Sequence, residues 1–166
     1  MKIKIKKLHK DAVIPAYATD GAAGMDIVAT NKNIDKKGNI VYGTGLAFEI
    51  PKGYVGLLFP RSSNTKKDLV LLNSVGVLDS DYRGEVTFKY RNTINTISLL
   101  KYWWQKNILR KKELDLKVYS FTRDAYEVGD KIGQIIIVKH PYIEFEESET
   151  LSETARGTGG YGSTGK

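Results

Sequence analysis

The chain has 166 residues and a formal net charge of +7, and it contains no cysteine. This length supports one domain with a hydrophobic core, or one domain and an arm. The lack of cysteine excludes disulfides and thiolate metal sites, and two histidines are a poor basis for a zinc hydrolase. No apolar run approaches the ~20 residues of a membrane span, and no signal peptide opens the chain. We therefore expect a cytoplasmic protein with no membrane contact.

Positive charge is concentrated in two stretches. Residues 2–10 hold five lysines, and residues 93–118 hold six basic side chains against two acidic ones. Solvated strand edges and loops explain such charge in many proteins. Attraction to a triphosphate or to nucleic acid is the alternative, and the charge alone leaves both open.

The first part of the chain is typical of short β-strands. Residues 2–8 alternate Lys and Ile, which predicts a terminal strand with one face toward the core. Residues 22–27 lead small side chains into a second strand. Residues 40–50 and 54–59 are β-rich and separated by a Pro-Lys-Gly turn. Strands this short, at intervals of about 8–12 residues, predict an all-β sandwich or barrel.

The stretch 73–86 combines apolar strand residues with a polar bend and reads NSVGVLDSDYRGEV. It predicts a β-hairpin whose tip is Asp79–Gly84, with Gly84 at positive φ. Residues 69–78, which overlap this stretch, are predicted as one strand interrupted by Asn73. The amide of Asn73 must be paired or exposed. Two carboxylates, a tyrosine and an arginine at the tip are more than a plain surface turn requires.

Residues 60–64 leave an apolar strand with the sequence PRSSN, which predicts the start of a short helix. Free N–H groups there, the hydroxyls of Ser62 and Ser63, and the guanidinium of Arg61 would form an anion site. A plain helix cap is the alternative, because Ser and Asn also favour that position.

The later segments are less regular. Residues 93–120 change hydrophobic period midway, so a helix followed by a strand and a long hairpin both stay open. Trp103 and Trp104 stand near four basic residues and either pack this segment onto the body or bind nucleic acid or protein. Residues 128–138 predict a turn entering an apolar strand, and residues 142–155 an exposed acidic linker. Residues 156–165 hold five glycines, so ordering them costs much backbone entropy.

Five motifs in order carry a resemblance to the trimeric dUTP pyrophosphatases, or dUTPases. They are AGMD at 23–26, PRSS at 60–63, GVLDSDYRG at 76–84, GDKIGQ at 129–134 and RGTGGYGSTG at 156–165. Only residues 93–120 fall outside the resemblance and look inserted, as in some phage dUTPases. The resemblance implies a distorted jelly-roll (β-clip) subunit in a homotrimer. Residues 1–150 would be one domain, and 151–166 a C-terminal arm swapped onto another subunit.

The resemblance also implies a reaction. Water would attack the α-phosphorus of dUTP and release dUMP and pyrophosphate, which limits uracil in DNA and supplies dUMP for dTMP synthesis. Asp79 would orient and deprotonate the water, and Asp81 would brace the turn. Mg²⁺ would bind the three phosphates. Asp26 would lie near the metal, and Gln134 would reach it through a water or contact the phosphate.

Further residues are implied to bind the nucleotide. Asn73 and the main chain of the bend would read the uracil edge, whose donors and acceptors differ from those of cytosine. Tyr82 would exclude a 2′-hydroxyl. The arm would close over a neighbouring site, where Tyr161, in place of the usual Phe, stacks on uracil. The implied substrate-binding set is Arg61, Ser62, Ser63, Asn73, Gly76, Val77, Leu78, Tyr82, Gln134, Arg156, Gly160, Tyr161, Gly162, Ser163 and Thr164.

Two rival functions have different sequence requirements. A dCTP deaminase resembles a dUTPase in fold. It needs a glutamate on the strand after the bend, where this chain has Lys89. Lysine cannot act as that carboxylate, which argues against deamination. The second rival is a non-catalytic regulatory protein that acts through residues 93–120. The intact Asp79 and glycine arm argue against a loss of catalytic activity. A second role for that segment stays open.

Overall fold

The computed structural model of this chain describes residues 1–93, Trp104 and residues 125–160. Residues 1–93 and 125–160 form β-strands joined by turns, with one short 3₁₀ helix, and all pairings between these strands are antiparallel. The strands are β1 (Lys4–Lys7), β2 (Met25–Val28), β3 (Asn31–Ile34), β4 (Ile40–Gly43), β5 (Leu46–Glu49), β6 (Tyr54–Phe59), β7 (Leu69–Leu71), β8 (Gly76–Leu78), β9 (Thr87–Asn92) and β10 (Lys131–Lys139), and the 3₁₀ helix is Ser62–Lys66. The predicted all-β fold is confirmed. Within the described residues, no helix has the length and apolar character to cross a membrane.

Two four-stranded sheets make up the body. One has the strand order β2-β10-β6-β8 and the other β3-β4-β9-β7, while β1 pairs with β5 in a small sheet of its own. Buried residues from both large sheets form one apolar cluster, in which Ile27, Tyr42, Phe88, Tyr90 and Ile135 are at most 1 % exposed. Two antiparallel sheets around one core are the arrangement of a jelly roll.

The amino-terminal strand follows its sequence pattern. In β1, the Lys4 side chain is 82 % exposed and pairs with Glu49 on β5, whereas Ile3 and Ile5 pack against the core. The predicted strand after residue 128 is also present as β10, and it pairs with β2 on one side and β6 on the other. The alternation of Lys and Ile therefore gives the face of β1 correctly.

Two predictions for the central region are wrong. Residues 69–78 are not one strand, because β7 pairs with β9 in one sheet and β8 pairs with β6 in the other. A turn at 72–75, with Ser74 at φ 56°, carries the chain between the sheets. Residues 73–86 are not a hairpin either, because β8 and β9 belong to different sheets. Both halves of the apolar run face one core, which is why the sequence resembles a continuous strand.

Gly84 also serves a different purpose from the one predicted. It is not among the glycines with positive φ. A Cβ atom at this position would instead collide with the hydroxyl of Tyr82, whose ring folds over it. Glycine here leaves room for the Tyr82 ring, and a larger side chain would displace that ring from its present position.

Candidate active site

The first part of the site lies where β6 ends and the PRSSN segment begins. Gln134 on β10 faces Asp26 on β2 and Phe59 on β6, and its amide donates a hydrogen bond to the carbonyl of Pro60 (3.2 Å). Gly24 makes room for this amide, since a Cβ at residue 24 would lie 2.7 Å from the Gln134 Oε1 atom. Residues of three motifs that are distant in sequence therefore meet at this strand end.

Asp26 is paired with two cations. Its Oδ1 accepts from Arg61 Nε at 2.7 Å, and its Oδ2 lies 2.9 Å from Lys131 Nζ. Burial by itself would raise the pKa of Asp26, but the hydrogen bonds and charges of Lys131 and Arg61 outweigh it and hold the pKa below the usual 3.8. Asp26 is thus ionised at neutral pH and fixes the direction of the Arg61 guanidinium.

These side chains form a charge-ordered group that we call the phosphate cluster: Asp26, Arg61, Lys131 and Gln134. Two cations against one carboxylate leave it positively charged. Ser63 lies beside it, with its Oγ 3.5 Å from Arg61 Nη1, and Ser62 is exposed nearby at the start of the 3₁₀ helix. A planar guanidinium held by a carboxylate is well suited to bind phosphate oxygens.

The second part of the site is a pocket of about 180 Å³ beside β8, which we call the bend pocket. It brings together Asp79 and the residues predicted to hold the nucleoside. Its lining is Leu58, Asn73, Gly76, Val77, Leu78, Asp79, Tyr82, Glu85, Val86 and Thr87. The Asn73 amide lies 3.3 Å from where a Cβ of residue 76 would be, so glycine at 76 keeps space for this side chain. These residues therefore share one pocket.

Tyr82 forms one wall of the bend pocket. It is 46 % exposed, and its hydroxyl donates to the carbonyl of Glu85 at 3.1 Å. The Glu85 carboxylate in turn accepts from the backbone N–H of Gly45 at 2.8 Å. The buried Thr44 hydroxyl donates to the carbonyl of Val86 at 2.7 Å. The bend is therefore fastened to the turn between β4 and β5, which fixes the tyrosine ring.

Asp79 stands between the bend pocket and a larger groove of about 1030 Å³. Its neighbour Asp81 lines that groove, but no hydrogen bond joins the Asp81 side chain to any described residue. Arg83 braces the bend instead, because its Nη1 donates to the carbonyls of Ser80 (2.7 Å) and Tyr82 (2.9 Å). The bracing role predicted for Asp81 therefore falls to Arg83.

The two parts of the site lie apart within one chain. Leu78 faces Gly56, which places Asp79 beside Val55 near the start of β6. Arg61 follows Val55 by six residues, and extended backbone rises about 3.3 Å per residue, so roughly 20 Å of strand separates the two positions. A single chain does not bring Asp79 to the phosphate cluster.

The carboxy-terminal stretch lies away from both parts. Residues 141–155 are exposed throughout, as predicted for a linker, and they include Phe145 at 96 % and Leu151 at 89 % exposure. Arg156 donates to the carbonyl of Gly159 within its own turn, and Gly160 is exposed. The predicted contacts of Tyr161, Gly162, Ser163 and Thr164 lie outside the described residues, as does the 93–120 segment apart from Thr93 and the half-exposed Trp104.

Sequence reasoning missed two residues of the site. Lys131 holds Asp26 from within the GDKIGQ motif, and Glu85 directly follows the DSDYRG bend. The only indication in the sequence that Lys131 and Glu85 belong to the site is that each is a charged residue inside or next to a motif. Their partners lie far away in sequence, so only the fold reveals the contacts.

Comparison with known proteins identifies relatives over nearly the whole chain. The dUTPase family model matches residues 10–102 and 107–165. The deoxyuridine 5′-triphosphate nucleotidohydrolase of Wolinella succinogenes is 39% identical, over 100% of this chain and 95% of the relative.

Solved structures of phage dUTPases are also similar. The Staphylococcus bacteriophage 80alpha dUTPase with dUPNHPP, described as controlling transfer of virulence genes, has a TM-score of 0.72 and 25% identity, over 99% of each chain. The D95N mutant of the dUTPase from phage phi11 of S. aureus, with a structural Mg(II) ion, has a TM-score of 0.67 and 26% identity, over 92% of this chain and 100% of that one. From the motif match, the full-length relative and the shared fold together, the chain belongs to the dUTPase family.

Proposed function

We propose that this chain is a dUTP diphosphatase, which hydrolyses dUTP to dUMP and pyrophosphate. The observation that supports the proposal is the bend pocket, whose lining includes Asp79, Asn73 and Tyr82. Such an enzyme acts on the cellular nucleotide pool, limits uracil in DNA and supplies dUMP for dTMP synthesis. We therefore assign it to the cytoplasm.

Asp79 acts as the general base. Its carboxylate orients one water and accepts a proton as the water oxygen attacks the α-phosphorus. The bond from the α-phosphorus to the bridging oxygen breaks, and pyrophosphate leaves with that oxygen. Asp79 is exposed at the mouth of the bend pocket, so a water can reach it from the adjoining groove.

The bend pocket selects the nucleoside. The Asn73 amide and the main chain at Gly76–Leu78 offer a fixed row of donors and acceptors to the uracil edge, and cytosine would leave some of them unpaired. The Tyr82 ring, fixed by its bond to the Glu85 carbonyl, excludes a 2′-hydroxyl. Discrimination against cytosine and ribonucleotides thus depends on the hydrogen bonds that fix the bend to the turn between β4 and β5.

The phosphate cluster binds the triphosphate. Arg61 and Lys131 face Asp26 in the free chain and offer their remaining N–H groups to phosphate oxygens. The hydroxyls of Ser62 and Ser63 and the Gln134 amide add neutral donors. From the glycine arm, Arg156, Gly160 and residues 161–164 complete the enclosure and bring Tyr161 over the base.

The donor set fits a magnesium ion carried by the substrate. Among residues 1–93 and 125–160, no three His, Asp or Glu side chains come together as a cage. Mg²⁺ keeps several waters and is commonly held by substrate phosphates, and here Asp26 and Gln134 lie close enough to meet those waters. When bound, the ion neutralises charge on the triphosphate. The phi11 dUTPase is described as coordinating a structural Mg(II) ion, so this metal binds at least one similar protein.

A homotrimer with a swapped arm completes the site. About 20 Å of strand separates Asp79 from Arg61 within one chain, so another copy must supply the second part. Residues 142–151 carry the exposed side chains of Tyr142, Ile143, Phe145 and Leu151, which a neighbouring subunit would cover. Light scattering at micromolar concentration tests this proposal, and a monomer mass would contradict it.

Pyrophosphate release tests the activity itself. The purified chain with Mg²⁺ should release pyrophosphate from dUTP and far less from dCTP, UTP or dTTP. Ammonia released from dCTP would instead indicate a deaminase. We do not expect it, because Lys89 occupies the required position and pairs with Asp35 at 3.2 Å. Binding of a protein or nucleic acid through residues 93–120 would be a second role beside hydrolysis, and the 80alpha dUTPase is described as controlling transfer of virulence genes.

A further inference from the structure

The 3₁₀ helix beside the phosphate cluster has few of the usual anchors. None of its residues is buried, its first residue has no side-chain cap, and no acidic side chain lies in its first turn. Yet this helix carries Ser62 and Ser63 and follows directly after Arg61. The positions of Arg61, Ser62 and Ser63 therefore depend on the contacts that hold this helix against the rest of the fold.

The fastening runs through Asn64. Its Nδ2 donates to the carbonyl of Leu69 at 2.8 Å, which ties the helix to β7. Its Oδ1 accepts from the hydroxyl of Tyr126 at 3.1 Å. The Lys67 ammonium lies 4.5 Å from the centre of the same tyrosine ring, a cation–π contact just past the end of the helix. One aromatic side chain thus contacts the middle of the helix and the residue that follows it.

Tyr126 is itself a rigid anchor. It is 3 % exposed, and its ring lies 6.1 Å from Tyr42 and 5.8 Å from Tyr90, centre to centre. Its carbonyl accepts from the Tyr42 hydroxyl at 2.9 Å. Burial raises its pKa, and the nearby Ser63 hydroxyl and Arg61 charge only partly offset this, so the phenol remains a neutral donor at working pH.

We infer that Tyr126 is a positioning residue, which sets the place of the Arg61–Asn64 segment for binding of the β- and γ-phosphates. This inference rests on the proposed function. Tyr126 acts through Asn64 and needs no contact with the nucleotide. Its hydroxyl links the aromatic core to the phosphate donors, whereas nothing joins it to the bend pocket among the described residues.

The test compares two ligands on the full-length protein by calorimetry with Mg²⁺ present: dUMP, and the imido analogue of dUTP that cannot be hydrolysed. In Tyr126→Phe, the analogue should bind about fivefold more weakly, the size of one lost hydrogen bond. The affinity for dUMP, which lacks the two outer phosphates, should stay within about twofold of wild type. In kinetics, KM for dUTP should rise more than kcat falls.

Tyr90→Phe is the matched control. It also loses one hydroxyl from the buried cluster, but the Tyr90 hydroxyl donates to the carbonyl of Ile132 on β10, at 2.6 Å, and not to a residue of the 3₁₀ helix. It should lower Tm while the ratio of the two affinities stays at the wild-type value. Asn64→Ala removes the acceptor from a partly exposed position, so it remains informative if Tyr126→Phe folds poorly. It should reproduce the selective loss and should not add to that of Tyr126→Phe.

Unchanged affinity for both ligands in Tyr126→Phe, or a parallel loss of both as in a general destabilisation, would overturn the inference. Failure of the proposed function looks different. In that case the wild-type protein itself would neither bind the analogue nor release pyrophosphate from dUTP.

Discussion

The two ends of β6 serve one proposed reaction by different means. At its carboxy-terminal end, the phosphate cluster is built from side-chain charge: Asp26 between Arg61 and Lys131, with distances of 2.7 and 2.9 Å. Asp79 lies near its amino-terminal end, and from there the bend pocket extends along β8 as far as Leu58, with Tyr82 fixed by a backbone carbonyl. Triphosphates are recognised by charge and nucleosides by shape, so each part of the site suits one half of the proposed ligand.

The largest effect should come from the single reactive group of the bend pocket. Asp79→Asn keeps the size of the side chain but removes the base, so turnover should fall roughly 10²–10⁴-fold. Binding of the imido analogue should be retained. Asp81→Asn, a second carboxylate in the same groove, is the control and should cost little. If Asp81→Asn loses turnover on this scale while Asp79→Asn stays near the wild-type rate, the base has been assigned to the wrong aspartate.

Removing residues 156–166 tests whether the two ends suffice without the arm. Ordering this glycine-rich stretch costs about 1–2 kcal/mol per residue, which only bound nucleotide would offset. The truncated protein should keep its Tm and oligomeric mass but lose hydrolysis by orders of magnitude, because water is no longer excluded. Tyr161→Phe should be almost silent and Tyr161→Ala harmful. Full activity after truncation would show that the stretch is only a linker.

Mixing two inactive variants tests whether the two ends act across subunits. Asp79→Asn and Arg61→Ala should each be nearly inactive alone. Unfolded together in equal amounts and refolded, they should recover about a quarter of wild-type activity, because random assembly of a symmetric oligomer joins one intact end from each chain in that share of sites. Activity no higher than the sum of the separate variants would place both ends of each site in one chain.

The smallest effect concerns stability of the phosphate cluster. Because the pKa of Asp26 lies below 3.8 in the folded chain, its contribution to stability is complete above that pH and is lost as pH falls through the folded value. Tm curves of wild type and Asp26→Asn, measured by thermal denaturation, should therefore differ at pH 7 and converge only below about pH 4. Asp20→Asn, an exposed carboxylate, should follow wild type throughout. Convergence near neutral pH would contradict the ion pairs.

The sequence predicted the parts of the fold that local patterns encode. Alternation of Lys and Ile gave β1, and five ordered motifs gave the family and most candidate residues. Sheet membership was not encoded locally. The stretch LVLLNSVGVL faces one core from two sheets, so its hydrophobic pattern continues through the turn at 72–75.

Local sequence patterns also did not predict the contacts that hold the site residues in place. Glu85 reaches back 40 residues to Gly45, and Tyr126 reaches back 62 residues to Asn64. Such partners depend on which strands become neighbours, and a single sequence does not state that. Motif residues could therefore be assigned from the sequence, whereas the residues that hold them in place required the structure.

Thr93 and Tyr126 are both fixed to one short stretch of the body, although 32 residues of chain lie between them. The Thr93 N–H donates to the carbonyl of Asp68 at 2.8 Å, and the Tyr126 hydroxyl donates to Asn64. The fold thus holds these two residues beside the same stretch, Asn64–Asp68. Between two fixed points, closure entropy grows only with the logarithm of chain length, and each doubling of a flexible connection costs about 0.6 kcal/mol. Connections of quite different length can therefore join Thr93 and Tyr126 at little thermodynamic cost.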